Sequence, residues 1–154
     1  MNTVLYVSPN GVVYETRAYS KTDIAALVHD FALESLTSAD RQFDFWFTPS
    51  TRRCHHVNRS ATEILLTTTR FSAKTVPLLR GAVVVATHDS DGVLDGLSWQ
   101  QLDLLAQSNR TLSRHESRVL NRRIACDARH QRRTLAGTDA ATVRQGRQRP
   151  TARH

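Results

Sequence analysis

The stretch LLRGAVVVAT, residues 78–87, indicates the centre of the fold. Its three consecutive valines, Val83 to Val85, are typical of a β-strand that is buried on both faces. Such a strand needs neighbouring strands beside it and helices packed over it. The sequence on either side supplies candidates for both.

Two strand-like runs lie at the N-terminus. Thr3–Val7 and Val12–Thr16 are rich in residues that favour β-structure, and Ser8-Pro9-Asn10-Gly11 separates them. Proline presets φ for a turn, and Asn-Gly accepts the positive φ that a tight hairpin requires. We therefore predict an N-terminal β-hairpin.

A helix is predicted after this hairpin, because Ser20-Lys21-Thr22-Asp23 has the capping-box pattern. The apolar residues that recur at helical spacing behind it are Ile24, Leu27, Val28, Phe31 and Leu36. This helix should lie across the sheet with its apolar stripe inward.

The aromatic run Phe43–Phe47 alternates in the manner of a strand. Aromatic residues at this density form either a packed core strand or a platform on which nucleobases stack. A stacking platform needs cations that flank its rings, and Arg52 and Arg53 follow only after the next turn. We interpret the run as a core strand.

Three further capping-box patterns begin at Ser60, Ser98 and Ser113. The first two predict helices that cover the sheet, and the third predicts a basic helix over residues 114–134. The predicted fold class is α+β: a small mixed β-sheet of four or five strands with an N-terminal hairpin, two or three covering helices and a basic C-terminal helix.

Charge is distributed unevenly along the chain. Residues 1–107 contain nine Lys and Arg against eleven Asp and Glu, whereas residues 108–154 contain twelve Arg, no Lys and three acids. The last cluster of apolar residues ends near Leu135. We predict a globular α+β domain at 1–107, an arginine-rich helix at 108–135 and a disordered basic tail at 136–154.

Arginines recur on this basic helix at a spacing that aligns them, with Arg114, Arg118 and Arg122 at i, i+4. A guanidinium group forms bidentate hydrogen bonds to phosphate. Six or more such contacts would bind nucleic acid with steep salt dependence. The predicted nucleic-acid-binding residues are Arg114, Arg118, Arg122, Arg123, Arg129, Arg132 and Arg133.

Alternatives stand beside this interpretation. The chain has nineteen Arg and two Lys, and a genome rich in G and C also favours arginine over lysine. A basic C-terminal end can instead keep the protein soluble, or it can dock on an acidic host protein. The apolar line Leu120, Ile124 and Ala128 can pack on the domain or form the seam of a homodimer. Asn121, Gln131 or His115 could read base edges.

Motifs for catalysis or cofactor binding are absent from the sequence, so we expect a non-enzymatic protein with no cofactor. The six glycines form neither a dinucleotide-binding loop nor a phosphate-binding loop. Cys54-His55-His56 could join Cys126 and His130 in a zinc site, but the spacing is not a standard one, and we expect no metal.

The N-terminus, Met1–Val7, lacks the charged and apolar segments of a signal peptide. No run approaches the ~20 apolar residues that cross a bilayer. With only two widely separated cysteines, the expected location is a reducing cytoplasm, without a membrane partner.

The region 58–105 resembles a known group of proteins. Asn58-Arg59-Ser60-Ala61 opens a helix, Leu79-Arg80-Gly81 leads into the valine run, and Gly96-Leu97-Ser98 opens a further helix after an acidic turn with Gly92. These features are similar to those of small α+β proteins of unknown function encoded by actinobacterial phages and plasmids. The resemblance implies an accessory protein in the host cytoplasm and supplies no catalytic residues.

The function expected from these observations is that of a non-catalytic accessory protein of a phage or mobile element. It would contact nucleic acid through the arginine-rich helix. The alternative is a protein-interaction module that binds and modulates a host protein.

Overall fold

The computed structural model describes residues 2–29, 32–48, 56–108 and 112–147, and at 108 and 134–147 it describes the backbone alone. The strands are β1 (Asn2–Val7), β2 (Val13–Ala18), β3 (Glu34–Thr37), β4 (Asp44–Phe47), β5 (Val83–His88) and β6 (Leu94–Asp95). The helices are α1 (Lys21–Val28), α2 (Arg59–Thr68), α3 (Trp99–Ser108) and α4 (Arg114–Arg147). In the described ranges no helix combines the length and apolar character that a membrane crossing requires.

The sheet has the strand order β2-β1-β5-β4-β3, with the short β6 also paired to β5. The predicted α+β class is confirmed. All named pairings are antiparallel, whereas the sequence analysis expected a mixed sheet. The valine run forms the central strand, and its residues from Val83 to Ala86 are fully buried, as predicted for a strand covered on both faces.

The predicted N-terminal hairpin is confirmed as β1 and β2. Six residue pairs join the strands in an unbroken register from Asn2↔Ala18 to Val7↔Val13. Gly11 has φ +84° in the connecting turn, a conformation that glycine adopts without a steric penalty.

Each face of the sheet has its own core, because alternate residues of a strand point to opposite sides. On one face Val4, Val84 and Ala86 pack against Ile24 and Val28 of α1. The core residues of the other face come from β1, β4 and β5 and from α2, α3 and α4; its most deeply buried side chains include Val7, Phe45, Val83, Val85, Ile64, Leu65, Leu105 and Leu120. The architecture is three-layered, with the sheet in the middle.

The helix α1 is shorter than predicted. Its capping box at Ser20 is present, but it ends at Val28, where His29 adopts the left-handed conformation with φ 58°. Leu36, which was predicted to lie on this helix, is in β3 and pairs with Phe45, because its apolar spacing also suits a strand. Phe31 lies outside the described residues.

The N-cap of α2 is Asn58 and not the predicted Ser60. The Asn58 side chain is fully buried, and its Oδ1 accepts a hydrogen bond from the Ala61 backbone N–H at 3.1 Å. Its Nδ2 donates to the carbonyls of Val7 at 3.1 Å and Gly81 at 2.8 Å. Asn58 therefore ties the start of α2 to β1 and to the segment that enters β5.

The other two predicted caps are confirmed. Ser98 Oγ accepts a hydrogen bond from the Gln101 N–H at 3.2 Å, and Gln101 Oε1 accepts one from the Ser98 N–H at 2.9 Å. Ser113 Oγ accepts from the Glu116 N–H at 3.1 Å. These caps fix where α3 and α4 begin.

The arginine-rich helix extends beyond the predicted range. Its backbone is helical to Arg147, whereas residues 136–154 were predicted to be disordered. The prediction relied on the loss of apolar periodicity after 135, but adding residues to an existing helix needs no new nucleus. Alanines such as Ala140 and Ala141 also favour the helical conformation.

Candidate functional site

The helix α4 is fastened to the domain by an apolar inner face. Leu120 is fully buried in the same core as Leu65 and Leu105. Leu112, just before the helix, and Ile124 pack against that core as partly buried neighbours. The helix that was predicted as a segment separate from domain 1–107 thus completes the core of that domain.

Polar contacts reinforce this attachment. Arg123 Nη1 donates hydrogen bonds to the backbone carbonyls of Ala73 at 2.8 Å and Val76 at 2.7 Å. Arg80 forms a bidentate ion pair with Asp127, with Nη1 to Oδ2 at 2.8 Å. These contacts on neighbouring turns fix both the depth and the rotation of the helix.

The opposite face of α4 carries a stripe of arginines. The six members of this outer stripe, all exposed, are Arg114, Arg118, Arg122, Arg129, Arg132 and Arg133. At about 100° of rotation per residue they fall within an arc of roughly 100°, on the side away from Leu120. At about 1.5 Å rise per residue the stripe is about 28 Å long.

The outer stripe contains no acidic residue in the part of α4 whose side chains are described. The two acids there are Glu116 and Asp127, and both have partners at the inner side or the N-terminus: Asp127 binds Arg80, and Glu116 accepts a hydrogen bond from Ser113 Oγ at 3.2 Å. No described residue forms an ion pair with a stripe arginine. The positive charge of the stripe is therefore directed into solvent.

One predicted site residue differs from the others. Arg123 was grouped with the nucleic-acid-binding arginines, but it is half-buried and its guanidinium is hydrogen-bonded to the domain. The sequence could not separate it from Arg122, because only the direction of the core distinguishes adjacent helical positions. Arg123 has a structural role in this fold.

The sequence allows two roles for the apolar line Leu120, Ile124 and Ala128, namely packing on the domain or forming the seam of a homodimer. In the structure Leu120 is 0% exposed within its own chain and Ile124 packs against the same core. Domain packing is thus the arrangement observed, and Leu120 offers no surface to a second copy.

The three candidates for reading base edges are placed differently. Asn121 accepts a hydrogen bond from Arg59, and Gln131 is half-buried. His115 is exposed near the start of the helix. The outer stripe itself is composed of guanidinium groups, which suit phosphate more than a particular base sequence.

The zinc alternative falls partly outside the described residues, because Cys54 and His55 are not among them. Cys126 and His130 are both exposed on α4. Among the residues that the structure describes, no group of three or more His, Cys, Asp or Glu side chains is placed to hold a metal ion.

A polar cluster that the sequence analysis missed lies where β4 begins and the antiparallel β5 ends. His88 Nδ1 lies 2.7 Å from Asp44 Oδ2, and Thr37 Oγ1 donates to Asp44 Oδ1 at 2.8 Å. The sequence signal that could have revealed this cluster is Asp44, a charged residue within the aromatic run Phe43–Phe47. The hydrogen bonds of the described residues bring no nucleophile to His88, so we interpret the cluster as cross-strand fastening.

Burial also affects a tyrosine on the sheet. The ring of Tyr6 lies 4.9 Å from that of Tyr14, centroid to centroid. Desolvation raises the pKa of Tyr6 above its ordinary value of 10.0, and the proximity of the Tyr14 hydroxyl raises it further.

Comparison of the chain with known proteins gave no match to a family model, to a curated protein sequence or to a solved structure.

Proposed function

We propose that this protein binds nucleic acid through the outer stripe of α4, with the phosphate backbone as the group recognised. The observation that carries this proposal is the separation of roles along one helix. Its inner face holds Leu120, Arg123 and Asp127 against the domain, and its outer face presents six exposed arginines.

The energetic basis is the release of counterions from the nucleic acid. Each guanidinium that neutralises a phosphate frees condensed cations, and affinity then falls linearly with salt on logarithmic axes. Because the helix is anchored, the stripe arginines are held along one line before binding, which lowers the ordering cost of the complex. A line of about 28 Å matches about eight base pairs of duplex at roughly 3.4 Å each.

We propose further that recognition is independent of base sequence. Guanidinium groups dominate the stripe, while Asn121 is engaged by Arg59 and Gln131 is half-buried. Phosphate contacts position a protein on a duplex but carry no direct sequence information.

The test is a fluorescence-anisotropy titration of the full chain with labelled duplex DNA and duplex RNA of scrambled sequences, at about 50 mM and about 200 mM salt. We expect binding that weakens by about 10³-fold or more between these conditions, as six phosphate contacts require. A chain truncated at residue 107 is not a suitable control, because it would remove Leu120 from the core.

Two double charge reversals form a matched pair of test variant and control. Arg118→Glu with Arg122→Glu changes the stripe, whereas Arg41→Glu with Arg70→Glu makes the same charge change at exposed positions outside α4. We expect the stripe variant to lose about tenfold or more in affinity and the control to lose much less. Equal losses, or no binding by the unaltered chain, would remove the proposal.

A specific observation favours the alternative, a protein-interaction module. A groove of about 550 Å³ lies between β2 and α3 and is lined mainly by apolar side chains, among them Val13, Ile64 and Leu102. In this alternative the stripe is an electrostatic dock for an acidic host protein, and the anisotropy titration shows no binding to nucleic acid.

The biological setting that we propose comes from the resemblance of residues 58–105 to small α+β proteins of actinobacterial phages and plasmids. In that setting the chain is a non-catalytic accessory protein of a mobile element and acts in the host cytoplasm. Expression of a tagged chain in such a host, followed by crosslinking in intact cells, tests whether the chain contacts nucleic acid in that setting.

A further inference from the structure

The sheet ends on two edge strands of unequal length. β3 has four residues, and β2 has six, Val13–Ala18. Among the described strands β2 pairs only with β1. Natural proteins protect an exposed edge with charged side chains, most often lysine, or with proline or a β-bulge. β2 contains neither lysine nor proline, its unbroken register with β1 leaves no bulge, and its two charged side chains, Glu15 and Arg17, have opposite signs.

The register shows which backbone groups of β2 point away from the sheet. The Ser8 N–H donates to the Val12 carbonyl at 2.8 Å, so residues 8 and 12 form a hydrogen-bonded pair. Such pairs alternate with non-hydrogen-bonded pairs along an antiparallel ladder. Residues 14, 16 and 18 therefore bond to β1, and the N–H and C=O groups of Val13, Glu15 and Arg17 face outward.

The side chains along this edge leave it accessible. Val13 is 39% exposed, Tyr14 48% and Tyr19 63%, and Glu15 and Arg17 are also exposed. The edge thus has Val13 at one end and Tyr19 at the other, with the acidic Glu15 and the basic Arg17 between them.

We propose that β2 pairs antiparallel with β2 of a second copy of this chain, about a two-fold axis at Thr16, so that one sheet continues across a homodimer. With the axis at this position, Glu15 of each copy lies opposite Arg17 of the other. Val13 lies opposite Tyr19. The interface is isologous, as a closed two-fold dimer requires, and it does not involve the outer stripe of α4.

Charge complementarity selects this register over its neighbours. Outward-facing residues must pair with one another, so the axis passes through a residue and not between two residues. The axes near the middle of β2 lie at Tyr14, Glu15, Thr16 and Arg17, and an axis at Arg17 places two guanidinium groups opposite each other, which destabilises a strand pair. An axis at Glu15 places two carboxylates opposite each other, which destabilises a strand pair. An axis at Tyr14 pairs Glu15 with Val13 and leaves the ion pairs unformed. Only the axis at Thr16 forms two opposite-charge pairs.

The proposal is independent of nucleic-acid binding, and its first test uses the full chain alone. Sedimentation equilibrium over a range of concentrations should give a mass that rises to twice 17.3 kDa. Glu15→Arg places arginine opposite arginine, and we expect the dimer to weaken tenfold or more. Glu15→Arg with Arg17→Glu restores both pairs in reversed order and should restore the dimer.

Circular dichroism melting of each variant shows that a loss of dimer is not a loss of fold. A chain that stays monomeric at every concentration overturns the proposal. So does a dimer that Glu15→Arg leaves unchanged, or a folded double variant that remains monomeric.

The second test fixes the register. Thr16 meets its own copy in a non-hydrogen-bonded pair, where the Cα atoms lie about 4.5 Å apart, within the range that a disulfide spans. In a Cys54→Ser, Cys126→Ser background, we expect mild oxidation to crosslink Thr16→Cys and not Tyr14→Cys. Crosslinking of Tyr14→Cys instead, or of neither variant, contradicts the register.

Discussion

Arg122 and Arg123 are adjacent in the sequence, but a rotation of about 100° places them on different sides of one helix. Arg123 is half-buried and donates hydrogen bonds to two backbone carbonyls of the domain, whereas Arg122 is exposed. The same side chain therefore fastens the helix at one position and presents charge at the next. The composition of α4 thus determines how basic the helix is, while the position of the core determines which arginines can meet a partner.

The inner face gives the largest expected effect. Leu120→Ala removes a fully buried side chain from the core shared with α2 and α3. We expect the free energy of unfolding to fall by about 2–5 kcal/mol. Urea denaturation followed by circular dichroism measures it. A loss below about 0.5 kcal/mol would show that α4 does not pack as described.

The adjacent arginines provide a matched pair. Arg123→Gln removes the charged donor from the carbonyls of Ala73 and Val76 and should lower the free energy of unfolding by about 1.5–3 kcal/mol. Arg122→Gln makes the same chemical change on the outer stripe and should alter it by no more than about 0.5 kcal/mol. Equal effects on unfolding would erase the distinction between the two faces.

The same pair should behave in the opposite way in binding. Arg122→Gln removes one phosphate contact, so the slope of log affinity against log salt for duplex DNA should become shallower by about 0.9. Arg123→Gln, studied at a temperature where it is folded, should leave the slope unchanged. If Arg123→Gln, and not Arg122→Gln, changes the salt slope, the nucleic-acid interface lies on the inner face of α4 and not on the outer stripe.

Alkaline pH gives the smallest expected effect. The pKa of Tyr6 is raised from 10.0 by burial and by Tyr14, so above pH 10 the folded state holds a proton that the unfolded state releases. Stability should therefore decline as pH rises through 10. Tyr6→Phe should reduce this decline in thermal melts at pH 9 to 11, and an unchanged decline would exclude Tyr6 as its source.

Much of the fold follows from local sequence signals. The valine run, the Asn-Gly turn and the caps at Ser20, Ser98 and Ser113 each act within a few residues, and each is observed. The predictions that were wrong concern features that depend on residues distant in the sequence. Asn58 replaces Ser60 as a cap because its side chain also satisfies carbonyls of Val7 and Gly81, which are distant in sequence.

The candidate site shows the same limit. Spacing alone aligned Arg114, Arg118 and Arg122 correctly on one side of a helix. It could not assign Arg123, because that required knowing that the loop carbonyls of Ala73 and Val76 lie beside it. It also missed the pairing of Asp44 with His88, since neighbouring strands are brought together only by the sheet topology.

The most direct measurement is the salt slope of duplex binding for the full chain and for a triple neutralisation, Arg118→Gln, Arg122→Gln and Arg129→Gln. With six stripe arginines on phosphate, the full chain should give a slope of about −5, and the triple variant a slope shallower by about 2.7. Unchanged melting temperatures would confirm that the fold is intact. A slope near zero for the full chain, or the same slope for both proteins, would contradict the assignment of the outer stripe of α4 as the nucleic-acid interface.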